Sequence, residues 1–178
     1  LGAVFPAAEI CGNGLDEDCS GSDMTQPDEH EYNNSCDQCT WLGDDPTITL
    51  NATFDNPSDE WDYFCFNGID NISIPGLGEH VKVELSNQAI GMDADIYLWR
   101  GASFTSAVSS CEGGTSSDIG NDNGTAQLIG PGDESLDWVE TGTLGTNDSG
   151  IFIIGVKSWE ATGFGCAKAY QLYVKGLK

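Results

Sequence analysis

His80–Leu85 alternates without exception: Val81, Val83 and Leu85 are apolar, and the Lys82 and Glu84 between them are charged. Strict alternation places successive side chains on opposite sides of an extended chain, so one face seeks a core and the other water. The same period, or a short β-rich block, recurs at Thr47–Phe54, Trp61–Phe66, Ile96–Trp99, Leu136–Thr141, Ile151–Lys157 and Tyr170–Lys175. Weaker instances stand at Asn71–Ile74 and Ala126–Ile129. Clusters of Gly, Asn, Asp and Ser separate them, notably Gly113–Gly124 and Gly130–Glu134, and supply turn geometries. No segment shows an amphipathic helical period. About eight short strands predict an all-β fold, an antiparallel jelly-roll or immunoglobulin-like β-sandwich.

Charge narrows the function classes. The 178 residues carry 29 Asp and Glu against 6 Lys and Arg, a net charge of −23. A nucleic-acid binder needs cations to neutralise phosphates, and anionic membrane surfaces repel such a chain. Disorder, the usual reading of an acidic chain, does not fit one that is 39% hydrophobic and 10% aromatic. The longest apolar run, Ile151–Val156, falls far short of the ~20 residues of a membrane helix, so membrane insertion is not expected.

Seven Cys predict disulfides and a secreted, extracellular or cell-surface protein. The chain starts at Leu1 with no basic, then apolar, leader and reads as a mature form. Cys11 and Cys19 bracket a short loop and are the expected pair. Cys36 and Cys39 have three possible partners: each other, Cys111 or Cys166. Cys65, in the apolar run Trp61–Phe66, is the candidate for a buried free thiol. Zinc at Cys36-x-x-Cys39 needs two further ligands, and nothing places His30 or His80 there.

Three parts follow one another: an apolar segment 1–9, an Asp/Asn-rich segment 10–35, and a sandwich domain 36–178. In the second, Asp16, Asp18 and Ser20 occupy positions 1, 3 and 5 of an EF-type loop, with Gly21 at the sharp turn. That alternation aims successive oxygens at one Ca²⁺. Position 12 is Pro27, so Asp28 or Glu29 just beyond closes the site in this reading, with Asn13 and Asp23 contributing. The Cys11–Cys19 bridge staples the loop into a calcium-binding appendage. The run Glu9-Ile10-Cys11-Gly12-Asn13-Gly14-Leu15-Asp16-Glu17-Asp18-Cys19-Ser20-Gly21 resembles the metal-binding motif of bacterial surface proteins of the MopE type. The resemblance implies a metal in the loop and an extracellular bacterial setting.

A second resemblance spans about residues 37–176. Asp62-Tyr63-Phe64-Cys65-Phe66, Val81–Leu85, Met92-Asp93-Ala94-Asp95-Ile96-Tyr97-Leu98, Glu134–Trp138, Gly150–Val156 and Ala169–Val174 follow in an order similar to the bacterial pre-peptidase C-terminal domain. That family implies a jelly-roll β-sandwich, an accessory role beside secreted enzymes, Ca²⁺ and sometimes an insoluble polymer. The chain departs from the pattern in its extra Cys residues and in an acidic insert between Cys111 and Asp133, and no attached catalytic domain is expected. Asp93 and Asp95, with Asp62 or its neighbours Asp59 and Glu60, make a candidate second calcium site. Asp118, Asp122 and Asp133 of the insert make a third.

Catalysis is not expected: neither His sits in a nucleophile or metalloprotease motif. Core packing is the expectation for Trp41, Trp99, Trp138 and Trp159, and Trp159, in a turn, is the best of them as a surface candidate for stacking on a sugar ring. Sequons at Asn33, Asn51, Asn71, Asn123 and Asn147 are possible glycan acceptors. Leu1, Ala3 and Phe5 share one face if the N-terminus is extended, which suits a donor strand for the next subunit. The expected function is structural or adhesive, as a calcium-stabilised fibril subunit of a head-to-tail homopolymer. The alternative is a polymer- or carbohydrate-binding accessory module of a secreted hydrolase, with an extracellular polysaccharide or protein polymer as partner.

Overall fold

The computed structural model describes residues 15, 28–54, 60–70, 80–88, 92–113, 125–126, 133–139, 149–159 and 169–177. Leu1, Ala3 and Phe5, the loop with Cys11, Asn13, Asp16, Asp18, Cys19, Ser20 and Asp23, and Asn71, Asn123 and Asn147 lie outside these residues, as do Asp59, Asp118 and Asp122. Nine strands form among the described residues: β1 (Thr40–Asp44), β2 (Thr47–Thr53), β3 (Trp61–Gly68), β4 (His80–Ser86), β5 (Ala94–Gly101), β6 (Thr125–Ala126), β7 (Glu134–Val139), β8 (Gly150–Ser158) and β9 (Ala169–Lys175). They make a sandwich of two sheets, ordered β1-β3-β8-β5-β6 and β2-β9-β4-β7. The alternation in β4 does what its period demands. Val81, Val83 and Leu85 are buried between the sheets and Lys82 and Glu84 are not. Phe64, Phe66, Phe152, Ile154 and Val156 supply the facing layer, with the Phe66 and Phe152 rings stacked at 5.0 Å.

One pairing departs from the antiparallel expectation: β1 runs parallel to β3. The chain leaves β1, crosses to the other sheet as β2, and returns as β3, so β1 and β3 point the same way. Asp45 turns the corner at φ 40°, a left-handed conformation that Asp tolerates. Its Oδ1 accepts from Ile69 N at 3.0 Å and Leu177 N at 3.2 Å, and its own N donates to Asn67 O at 2.8 Å. The corner thereby ties the ends of both sheets together.

A helix, α1 (Phe104–Glu112), occupies a segment where none was expected. Only Ala107 and Cys111 of it are buried, an i, i+4 pair too small to print a hydrophobic period. Its start is set by a capping box made of two serines: Ser103 Oγ accepts from Ser106 N, and Ser106 Oγ accepts from Ser103 N. Gly101 admits the helix, because a Cβ there would stand 2.2 Å from Ala107 N. No helix among the described residues is long and apolar enough to cross a membrane.

The disulfides correct the expectation for Cys65. It is not a free thiol but pairs with Cys39, and Cys36 pairs with Cys111. Oxidation of both thiols of Cys36-x-x-Cys39 also removes the zinc reading, which needs thiolates. Cys36, Cys65 and Cys111 sit in one buried cluster on the outer side of the five-stranded sheet with Tyr63, Trp99, Ala107 and Ile153, and the half-buried Cys39 packs against it. The Cys36–Cys111 bridge spans 75 residues and holds α1 onto that side. Replacing both of its Cys by Ser is expected to lower unfolding stability by about 2–4 kcal/mol, measured as the urea midpoint under non-reducing conditions.

Candidate functional site

β3, β8 and β5 lie side by side, and their alternation sorts side chains to two faces. Phe64 pairs with Ile154, and Ile154 with Leu98, all facing the inter-sheet core. The residues between them, Trp61, Tyr63, Gly155, Lys157, Tyr97 and Trp99, face outward. Gly155 lies between Tyr63 and Tyr97 in register. A Cβ there would meet Trp99 Cζ3 at 2.8 Å and Trp61 Cζ3 at 3.0 Å, so the two indoles close over the glycine. Trp61 stacks on Tyr63 with centroids 5.4 Å apart, and Tyr97 stacks on Trp99 at 5.8 Å. Burial pushes the Tyr63 hydroxyl up to about 12. Lys157 Nζ stands 3.6 Å from the Trp159 ring centroid and 5.3 Å from that of Trp61, a cation held by two π faces.

This aromatic face opens at two places. Trp99 and Trp138 are buried, as expected for core, whereas Trp159, the best surface candidate, is 51% exposed. Trp41 is a correction: it is also 51% exposed. It pairs in register with Cys65 and so sits on the outer side, at the edge strand β1, where no further strand among the described residues covers it.

The structure does not bring Asp62 and Asp95 of the candidate second calcium site together, and Asp59 lies outside the described residues. Asp62 shares the inward parity of Phe64 and accepts a hydrogen bond from the Tyr170 hydroxyl at 2.5 Å, within the sandwich. Asp95 shares the outward parity of Tyr97 and Trp99. The two carboxylates therefore point to opposite faces of one sheet. Asp93 precedes β5 and its carbonyl accepts from Trp159 N at 2.8 Å. Among the described residues no three His, Cys, Asp or Glu side chains converge to hold a metal ion.

Asp95 is nevertheless an unusual acid. It is 2% exposed, and its Oδ2 has no hydrogen-bond partner among the described residues. Burial pushes its carboxyl above the usual carboxylate range and the Asp93 charge adds to this. Hydrogen bonding with Trp159 and Glu134 and the charge of Lys157 pull it back only in part. Glu134 is itself buried and accepts from Ile96 N at 2.9 Å, latching β7 onto β5.

Two residues expected at the first calcium site are described. Asp28 is engaged with the chain: its Oδ2 accepts from Thr53 N at 2.6 Å and from Thr53 Oγ1 at 3.2 Å, and its Oδ1 accepts from His30 N at 2.8 Å. Glu29 is exposed and lies 3.8 Å from His30 Nε2. Of the sequons, Asn51 stands exposed on the outer face of β2. Asn33 is a correction: at 1% exposure its amide is out of reach of a glycan in the folded chain. Neither polar atom of that amide has a hydrogen-bond partner among the described residues, while its carbonyl accepts from Tyr63 N at 2.8 Å. The aromatic face went unread as a unit because its members come from three strands distant in sequence. Only the register brings them together.

No family model matches the chain, and no curated protein matches it. Among solved structures it is similar to the pre-peptidase C-terminal domain of a collagenase from Bacillus anthracis, at 14% identity and a TM-score of 0.45. The likeness covers 77% of this chain and 94% of that one and concerns the fold alone.

The raised Asp95 carboxyl sets a sign for pH dependence. Between the unfolded and folded titration points the folded state holds the extra proton. That stability is full below the unfolded value and is lost as pH rises through the folded one. Asp95→Asn is therefore expected to raise the melting temperature at pH 7 and to flatten this fall, read from melts between pH 3 and pH 7. A variant less stable at pH 7 with an unchanged pH profile would mean that Asp95 is ionised and paired.

Proposed function

We propose that this chain is a non-catalytic, secreted β-sandwich with a structural or adhesive role outside the cell, joining copies of itself head to tail by strand addition and stabilised by Ca²⁺. The observation that carries the reading is the edge of β2. Among the described residues β2 pairs with β9 alone. Its outward direction is marked by Thr53, whose N–H leaves the sheet to reach Asp28. Backbone alternation then turns the N–H and C=O groups of Thr47, Thr49 and Asn51 the same way. Such a row is a template for another strand. If extended, the apolar segment 1–9 would put Leu1, Ala3 and Phe5 on one side, a period that suits a donor strand. A donor at one end and an acceptor edge elsewhere make a heterologous contact, which extends into a fibre.

Calcium suits the oxygen-rich set of Asn13, Asp16, Asp18, Ser20 and Asp23, with Glu29 as the carboxylate that would close the site. Chelation is expected to lower stability by about 2.7 kcal/mol relative to calcium at a hundredfold Kd, roughly 5–10 °C in melting temperature. An unchanged melt rejects the calcium reading. For assembly, deletion of residues 1–8 and, separately, Thr49→Pro are each expected to shift sedimentation from polymer to monomer. Proline at Thr49 removes an outward N–H without touching the β2–β9 ladder. An unchanged oligomer distribution in both variants overturns strand addition.

A second reading, a polymer-binding accessory module, is favoured by the aromatic face with its two half-exposed indoles, Trp41 and Trp159. It predicts that the isolated monomer is retained by an extracellular polymer and that Trp159→Ala weakens the retention.

A further inference from the structure

The outer face of the four-stranded sheet carries a different chemistry from the aromatic face. Alternation along β4 and β9 turns Glu84, Ser86, Gln171 and Tyr173 away from the core. With Thr49 of β2 and Ser135 of β7 they line a trough of about 410 Å³. That volume falls within the ~300–1,000 Å³ of small-molecule sites. Asp133 and Glu134 close the end where β7 begins.

Three side-chain amides are already ordered beside the trough. Asn87 Nδ2 donates to Gln171 Oε1 at 3.2 Å, and Gln171 Nε2 donates to Asn51 Oδ1 at 3.3 Å. A chain of amides held in place before a ligand arrives lowers the ordering cost of binding. The remaining groups are the hydroxyls of Thr49, Ser86 and Ser135 and the ring and hydroxyl of Tyr173. Neutral donors and acceptors around one aromatic surface match a polyhydroxylated ring, which presents hydroxyls at its edge and C–H groups on its face.

Charge selects among such ligands. Glu84, Asp133 and Glu134 border the trough, and the chain carries −23 overall, so acidic sugars are repelled. A cationic ligand is not required either, because Glu84 is already paired with Lys82 at 2.6 Å and Glu134 with the Ile96 N–H. We propose that this trough binds an uncharged sugar unit of a polysaccharide. The inference depends neither on strand addition nor on the aromatic face.

The test uses the full chain and pull-down on insoluble cellulose, mannan and galactan, with chitosan and alginate as cationic and anionic counterparts. Retention is expected on at least one neutral polymer. Gln171→Ala and Tyr173→Ala should weaken it about tenfold or more, and Trp159→Ala should leave it unchanged. Circular dichroism melts report whether each variant folds. If Tyr173→Ala does not, Gln171→Ala carries the comparison, with Tyr173→Phe retaining most binding. Retention by no neutral polymer, retention by chitosan or alginate alone, or loss with Trp159→Ala but not with Gln171→Ala overturns the proposal. The last outcome would instead support the aromatic face as the polymer-binding surface.

Discussion

Strand β8 runs through the middle of the five-stranded sheet with apolar side chains on both of its faces. Phe152, Ile154 and Val156 meet the opposite sheet, and Ile153 on the other side is equally buried. A strand of this kind needs cover on two sides, and a two-layer sandwich supplies only one. The second cover here is assembled from parts that do not look alike. Helix α1, the turn at Cys36–Gln38 and the stacked rings of Trp61, Tyr63, Tyr97 and Trp99 share it, and two disulfides hold it down. The cysteines thus follow from the double burial of β8. A nine-residue helix burying two small side chains could not hold its place by packing alone.

The same economy governs charge. Only six cations serve this chain, and several are committed locally. Lys82 pairs with Glu84, Lys157 rests on the indoles, and Arg100 stands 5.8 Å from the Trp138 ring and 5.9 Å from that of Phe152. Three of the buried acids are managed without them. Asp45 accepts backbone N–H groups, Asp62 a phenol, and Glu134 a strand amide. If copies associate as proposed, their like charges leave backbone pairing and apolar burial to hold the contact, since few cations are free to form salt bridges.

Most of the strands were legible because their period is a local property. β2, β3, β4, β8 and β9 fall where alternation or β-rich runs place them, and β7 begins two residues before its expected start. β1 escaped because Thr40–Asp44 is short and contains Gly43 at φ 94°, and α1 because its buried residues are an alanine and a cysteine. The candidate site was less legible. Asp93 and Asp95 were grouped with Asp62 because all are acids near strand ends. Whether they share a face depends on the register of β3 and β5 against β8, which no stretch of sequence records. Trp41 and Cys65 were misplaced for the same reason.

By itself the sequence determined the class of fold and the inward faces of individual strands. These rest on backbone geometry within a strand, which needs no knowledge of distant neighbours. Only the tertiary structure decided which cysteines meet, which carboxylates part company across a sheet, and which aromatics gather over Gly155. Those outcomes depend on strand order, and strand order is set by the requirement that both faces of β8 be covered at once.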